Sequence, residues 1–175
     1  MASKKHYIIT SVTLGLIGAA SAALIAVTNV VTRDKIAQNE KNKINAGIVE
    51  IFGKSATISE ENEISDTYKY IERYYEIVDE NDAKMGYAFR TTGSNMYGKI
   101  SLIAGFSYDA HEFVGIYIVV NEQTYAYTLV DNYISPLNIG KKEVDDVTCG
   151  ATYGAKLVRD MIQEASEAVD SLGSN

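Results

Sequence analysis

Twenty-four consecutive residues without a charge, Ile8 to Val31, constrain this chain more than any other feature of it. About 20 such residues cross the hydrocarbon core of a bilayer as a helix, and a single segment in lipid satisfies all its backbone groups only as a helix. The expectation is a transmembrane helix over 8–31 behind a short tail, 1–7. A cleaved signal peptide competes with it, since Lys4 and Lys5 make a basic start and Ala-Ala-Ser-Ala offers small residues for cleavage. The apolar run nevertheless continues to Val31, longer than a signal peptide needs, which favours a retained anchor. Gly15, Gly18, Ala19, Ser21, Ala22 and Ala23 crowd mid-span. Such residues allow a second helix to approach closely, and they are also simply common in membrane spans. Two lysines precede the span while Arg33, Lys35, Lys41 and Lys43 follow it, so counting positive charges alone points against an exported domain.

Beyond the span about 140 residues remain, enough for one compact domain with a buried core. Ile36, Ile44, Ile48 and Ile51 fall near helical spacing among Lys, Glu, Gln and Asn, so the span is expected to continue as an amphipathic stalk that Gly53 ends. Ser-Ala-Thr-Ile-Ser-Glu-Glu-Asn-Glu-Ile-Ser-Asp reads as a polar loop, giving a stalk and linker over 32–66 and a domain over 67–175. Two β-hairpins follow, Tyr68–Val78 with Lys84–Arg90 around Glu80-Asn81-Asp82, and Ile100–Phe106 with Phe113–Val120 around Asp109-Ala110. Gly93-Ser94-Asn95 and Tyr97-Gly98 read as the turn between them. Ala155, Val158, Met161, Ile162, Ala165 and Ala168 recur at three and four, predicting a closing helix from near Thr152 that packs on the sheet. The fold class is α+β, mostly antiparallel, and most of the thirteen tyrosines are expected to be half-buried strand residues.

Composition removes several function classes. With Lys4 and Lys5 set aside, 14 basic residues face 23 acidic ones, a net of −9, and no basic stripe suited to nucleic acid is present. Cys149 is the single cysteine and His6 and His111 the two histidines, so neither a disulfide nor a thiolate or histidine metal site is expected. No hydrolytic triad, P-loop or Rossmann fingerprint is found, and no residue is assigned a catalytic role.

The informative stretch is Asp145 to Lys156, Asp-Asp-Val-Thr-Cys-Gly-Ala-Thr-Tyr-Gly-Ala-Lys. It reads as a polar turn with a glycine, then a threonine at the first residues of the closing helix. Helix N-termini present free N–H groups and partial positive charge, so a phosphate at Thr152 would sit in a favourable field. An ordinary threonine cap explains the same residues.

Asp146-Val147-Thr148-Cys149-Gly150-Ala151-Thr152 resembles the flavinylation motif of FMN-binding domains: Asp, two variable residues, Ser or Thr, Gly, Ala, Thr. The resemblance extends to Asn29–Ile36 at the end of the span, to Gly86-Tyr87-Ala88-Phe89, to Tyr97-Gly98-Lys99-Ile100 and to Asn121-Glu122-Gln123-Thr124, in the order found in the RnfG flavoprotein of the Rnf electron-transport complex. The equivalent flavoprotein of the sodium-pumping NADH:quinone reductase is similar. The resemblance implies FMN joined through its phosphate to Thr152 by a flavin transferase, as a phosphodiester, with Asp146, Cys149, Gly150 and Ala151 forming the rest of the attachment motif. It also implies other membrane subunits of an Rnf-type complex as partners, electron relay between ferredoxin and NAD coupled to ion movement, a cytoplasmic N-terminus and an extracytoplasmic flavin domain in the plasma membrane. Two stretches depart from the family. Cys149 replaces a Ser or Thr and Tyr153-Gly154 replaces the hydroxyl-rich residues that often follow the acceptor, while Glu122-Gln123-Thr124-Tyr125-Ala126-Tyr127 replaces the Glu-Thr-Pro-Gly-Leu-Gly loop, leaving Thr124 and Tyr125 as candidate ring contacts. A redox-active Cys149 thiol is the sharper reading of the first departure and a small residue in a serine position the plainer one, since nothing basic adjoins it. A stand-alone flavinylated electron carrier and a cofactor-free anchored binding module are the alternative functions.

Overall fold

A computed structural model describes residues 4–64, 67–124, 139–142 and 152–172. The elements are α1 (Lys4–Phe52), β1 (Thr57–Glu63), β2 (Ile71–Val78), β3 (Lys84–Asn95), β4 (Gly98–Ser107), β5 (Phe113–Asn121) and α2 (Thr152–Leu172). Contacts divide the chain into two compact units, Met1–Asn42 and Lys43–Asn175.

The first unit is helical. Its large apolar side chains are exposed along the span, Leu14 at 71% and Leu24 at 69%, and α1 is long and apolar enough to cross a membrane. A helix at the centre of a water-soluble core would instead have these side chains buried. The three threonine hydroxyls within the span turn back on their own helix: Thr10 donates to the His6 carbonyl (2.9 Å), Thr13 to Ile9 (2.9 Å) and Thr28 to Leu24 (2.8 Å). Each hydroxyl proton thus has a partner where lipid offers none.

The second unit is a five-stranded antiparallel sheet in the order β1-β2-β3-β4-β5. Both expected hairpins are present, and the fold is α+β as the periodicities indicate. The expected loop before the domain differs. Residues 57–63 form β1, pairing with β2 from Thr57 opposite Val78 to Glu63 opposite Arg73. Its acidic sequence is explained by its place at the edge, where only Ile58 packs inward, beside Ile77, and Glu61 pairs with Arg73 across the strands. The turn between the hairpins also differs. Gly93, Ser94 and Asn95 stay in β3 with Asn95 opposite Gly98, so the loop is only Met96-Tyr97.

Helices cover both faces of the sheet. On one, α2 buries Ala155, Leu157, Val158, Met161, Ile162, Ala165, Ala168 and Val169 against Phe89, Ile100, Leu102 and Phe106. Each large apolar side chain sealed this way contributes about 1.5–3 kcal/mol. Gly93 permits the close approach: a Cβ there would lie 2.8 Å from Leu157 Cδ1 and 3.1 Å from Met161 Sδ. Glu164 pins the helix laterally by accepting from the amides of Tyr70 (2.7 Å) and Ile71 (3.2 Å). On the other face, Ile44, Ile48, Ile51 and Phe52 from the last turns of α1 pack with Ile77, Ala88, Ile103 and Val119. The isoleucines that read as a stalk stripe thus serve, from Ile44 onward, as a layer of the domain.

Candidate cofactor-attachment site

Three segments far apart in sequence meet at one end of the sheet: the β3–β4 turn, the residues just after β5, and the start of α2. The turn sets the geometry. With two residues between paired strands the backbone must reverse tightly, and Gly98 has φ +138°, a conformation L side chains rarely adopt. Its absent side chain also makes room, because a Cβ there would fall 2.2 Å from the Glu122 carbonyl oxygen. The chain just after β5 can therefore lie directly against the turn. The Glu122 amide donates to the Lys99 carbonyl (2.8 Å) and the Thr124 amide to the Tyr97 carbonyl (2.9 Å).

Asn95 joins all three segments. Its side-chain oxygen accepts from the Tyr97 amide (2.9 Å) and from Gln123 Nε2 (3.1 Å), while its Nδ2 donates to the Tyr153 carbonyl (3.2 Å) in the first turn of α2. Gln123 is buried, 6% exposed. Its Nε2 also donates to the Gly98 carbonyl (2.7 Å) and its backbone amide to Asn121 Oδ1 (3.1 Å). A buried amide held by two acceptors resists displacement, since moving either one weakens its hydrogen bonding where water does not replace it. The rings of Tyr97 and Tyr153 lie 5.7 Å apart, tilted by 52°, and Tyr153 is 61% exposed.

Thr152, the expected acceptor, is the half-buried first residue of α2. Thr124, the expected ring contact, is exposed at the same end of the sheet, tied to Tyr97, whose ring neighbours that of Tyr153. Asp146, Cys149, Gly150, Ala151 and Tyr125 lie outside the described residues. In the sequence Asn95 stood only as a turn residue, and Tyr97 and Gln123 only within a turn and the stretches compared with the family, with nothing joining the three. Asn95 and Gln123 are 28 residues apart and Asn95 and Tyr153 58 apart, so no local spacing links them.

Residues 1–51 match the family model of the RnfG N-terminal region. This part of the chain is similar to the N-terminal region of RnfG proteins. The match takes in the apolar span and nearly all of the remainder of α1, and it ends before β1. It supports placing the chain as a subunit of an Rnf-type redox complex in a membrane, and it does not extend to the sheet, to α2 or to the flavinylation motif. No curated protein matches the chain.

Proposed function

We propose that this Rnf-type subunit relays electrons through FMN held covalently on Thr152, within an ion-translocating ferredoxin:NAD oxidoreductase. The observation that carries the reading is the position of Thr152. The last residue of the motif opens a 21-residue helix at the end of the sheet where Thr124 also sits.

The residues present fit such a group. A phosphodiester on the Thr152 hydroxyl adjoins first-turn N–H groups that have no partner within the helix, and the positive end of the helix dipole favours its charge. Lys156, exposed and one turn along, adds a cation on the same side of α2. In a domain that, over residues 67–175, carries 9 basic against 16 acidic residues, a net of −7, this local field offsets the surrounding repulsion. Flavin supplies one- and two-electron transfer when bound. The protein's part is to fix the attachment point and shield one side of it, and the Asn95–Gln123 cluster does the first by locking the start of α2 to the sheet. Such a relay needs no acid–base residue. Covalent attachment also retains the cofactor if the domain faces outward with the N-terminus in the cytoplasm, the orientation we propose.

Co-expression of the full chain with its flavin transferase, followed by intact mass and in-gel fluorescence, tests the assignment. The expected result is one FMN per chain, lost in Thr152→Ala. A chain without FMN refutes the flavoprotein reading, whereas an adduct that persists in Thr152→Ala moves the site elsewhere. Co-purification with other membrane subunits separates a complex member from a stand-alone electron carrier.

A further inference from the structure

Resting on the proposed attachment at Thr152, we propose that Tyr97 and Tyr153 form the aromatic seat against which the isoalloxazine ring of that flavin lies. Neither tyrosine belongs to the attachment motif, and neither belongs to the two apolar clusters that hold the sheet to its helices. Tyr153 directly follows the proposed attachment residue and is 61% exposed, so much of its ring remains open to a ligand.

The pair is held unusually firmly for an exposed feature. The Tyr97 amide donates to Asn95 and its carbonyl accepts from Thr124, so both backbone groups of the turn residue are fixed. The Tyr153 carbonyl accepts from the same Asn95. With both backbones tied to one side chain, the rings stay 5.7 Å apart and tilted. Two rings set at an angle offer one face and one edge to a third, which suits the offset and edge-to-face packing that aromatic systems prefer. The ribityl chain allows a ring tethered at Thr152 to fold back over the neighbouring residue. Tyrosine also quenches an excited flavin in contact with it by donating an electron that returns after the light pulse, so no net oxidation follows and the contact has an optical signature.

The full-length chain, flavinylated by co-expression and held in detergent, provides the test through time-resolved flavin fluorescence and visible-region circular dichroism. Both are read on the flavinylated fraction, so neither depends on loading yield. Wild type is expected to show a strongly quenched flavin with an induced dichroism band. Tyr153→Leu and Tyr97→Leu should each lower the ratio of stacked to free flavin roughly two- to twelvefold, which corresponds to about 0.5–1.5 kcal/mol per aromatic pair. The double variant should leave an unquenched, freely rotating ring. Tyr153→Phe keeps the ring but not the oxidisable phenol, so its dichroism should persist while its lifetime lengthens. Unchanged lifetimes and dichroism in both leucine variants, with FMN present by mass, overturn the seat and leave the attachment reading intact. Absence of FMN from wild type overturns both. Because Tyr153 is exposed, its substitution leaves the core untouched, and the tyrosine dichroism of the domain verifies folding.

Discussion

Replacing Asn95 with alanine removes three hydrogen bonds at once, to the Tyr97 amide, Gln123 Nε2 and the Tyr153 carbonyl. Their contributions are unequal. Tyr97 is half-buried and its amide loses its side-chain acceptor. Gln123 is buried but keeps its bond to the Gly98 carbonyl, so its amide group is weakened and not orphaned. The Tyr153 carbonyl belongs to an exposed residue, where water replaces the lost donor. At about 0.5–1.5 kcal/mol for each bond, the total comes to about 2–3 kcal/mol. For a domain of this size each kcal/mol lowers the midpoint by about 3–5 °C, so Asn95→Ala should melt about 10 °C earlier. Asn95→Asp keeps the acceptor for Tyr97 and Gln123 and loses only the donor to Tyr153, so its loss should be about 1 kcal/mol. Thermal unfolding of the full chain in detergent, followed by near-ultraviolet dichroism of the tyrosines, reports the sheet domain without interference from the span. Combined with Gln123→Ala in a double-mutant cycle, Asn95→Ala should show a coupling of about 0.5 kcal/mol or more. Amides of Tyr97 and Thr124 should lose hydrogen-exchange protection together. A midpoint within about 2 °C of wild type and additive cycle energies would refute the cluster as the clamp between α2 and the sheet.

Gly98→Ala places a Cβ 2.2 Å from the Glu122 carbonyl oxygen at φ +138°, so the backbone must move; urea unfolding should show a loss of about 1–3 kcal/mol, and a neutral result contradicts the close packing of this turn. Asp79 accepts from the amides of Ala83 and Asn81, and these bonds hold its carboxyl below the ordinary value of 3.8. A depressed folded-state value means the stabilisation is present above the unfolded value and disappears as pH falls through the folded one. Asp79→Asn should therefore be destabilised near neutral pH and match wild type in strong acid; an unchanged difference across that range contradicts the assignment. Membrane preparations should retain a chain whose intact mass includes residues 8–31 and which resists alkaline extraction, whereas a shortened, soluble product would show cleavage.

The parts of this fold that were legible in the sequence are those in which one residue's environment repeats locally. The hairpins and α2 announce themselves because Leu102, Ala104 and Phe106, or Val158, Met161, Ile162 and Ala165, must all meet the same buried face. β1 was hidden for the opposite reason. An edge strand with one ordered neighbour needs only a single inward residue, Ile58, and its outward glutamates protect an open edge from pairing with another chain. Gly93 misled differently: glycine usually signals a turn, but here the missing side chain makes room for Leu157 and Met161 while the strand runs on.

The same distinction separates the two halves of the candidate site. The proposed attachment motif is local, because a transferase acting on Thr152 would have to read neighbouring residues along the chain, and local patterns are legible in a sequence. The surroundings of Thr152 are assembled by Asn95 and Gln123 from three segments, and no spacing rule links residues that meet only after β3, β4 and β5 have paired. It follows that chemistry and environment can vary separately here. A substitution at Thr152 should remove the proposed cofactor and spare the fold, since a half-buried hydroxyl at a helix start contributes little packing. A substitution at Asn95 should loosen the fold around an intact acceptor. Measuring FMN stoichiometry and thermal midpoint on the same two variants sets these effects against each other, and a Thr152→Ala protein as unstable as Asn95→Ala would show that the threonine is chiefly a structural cap.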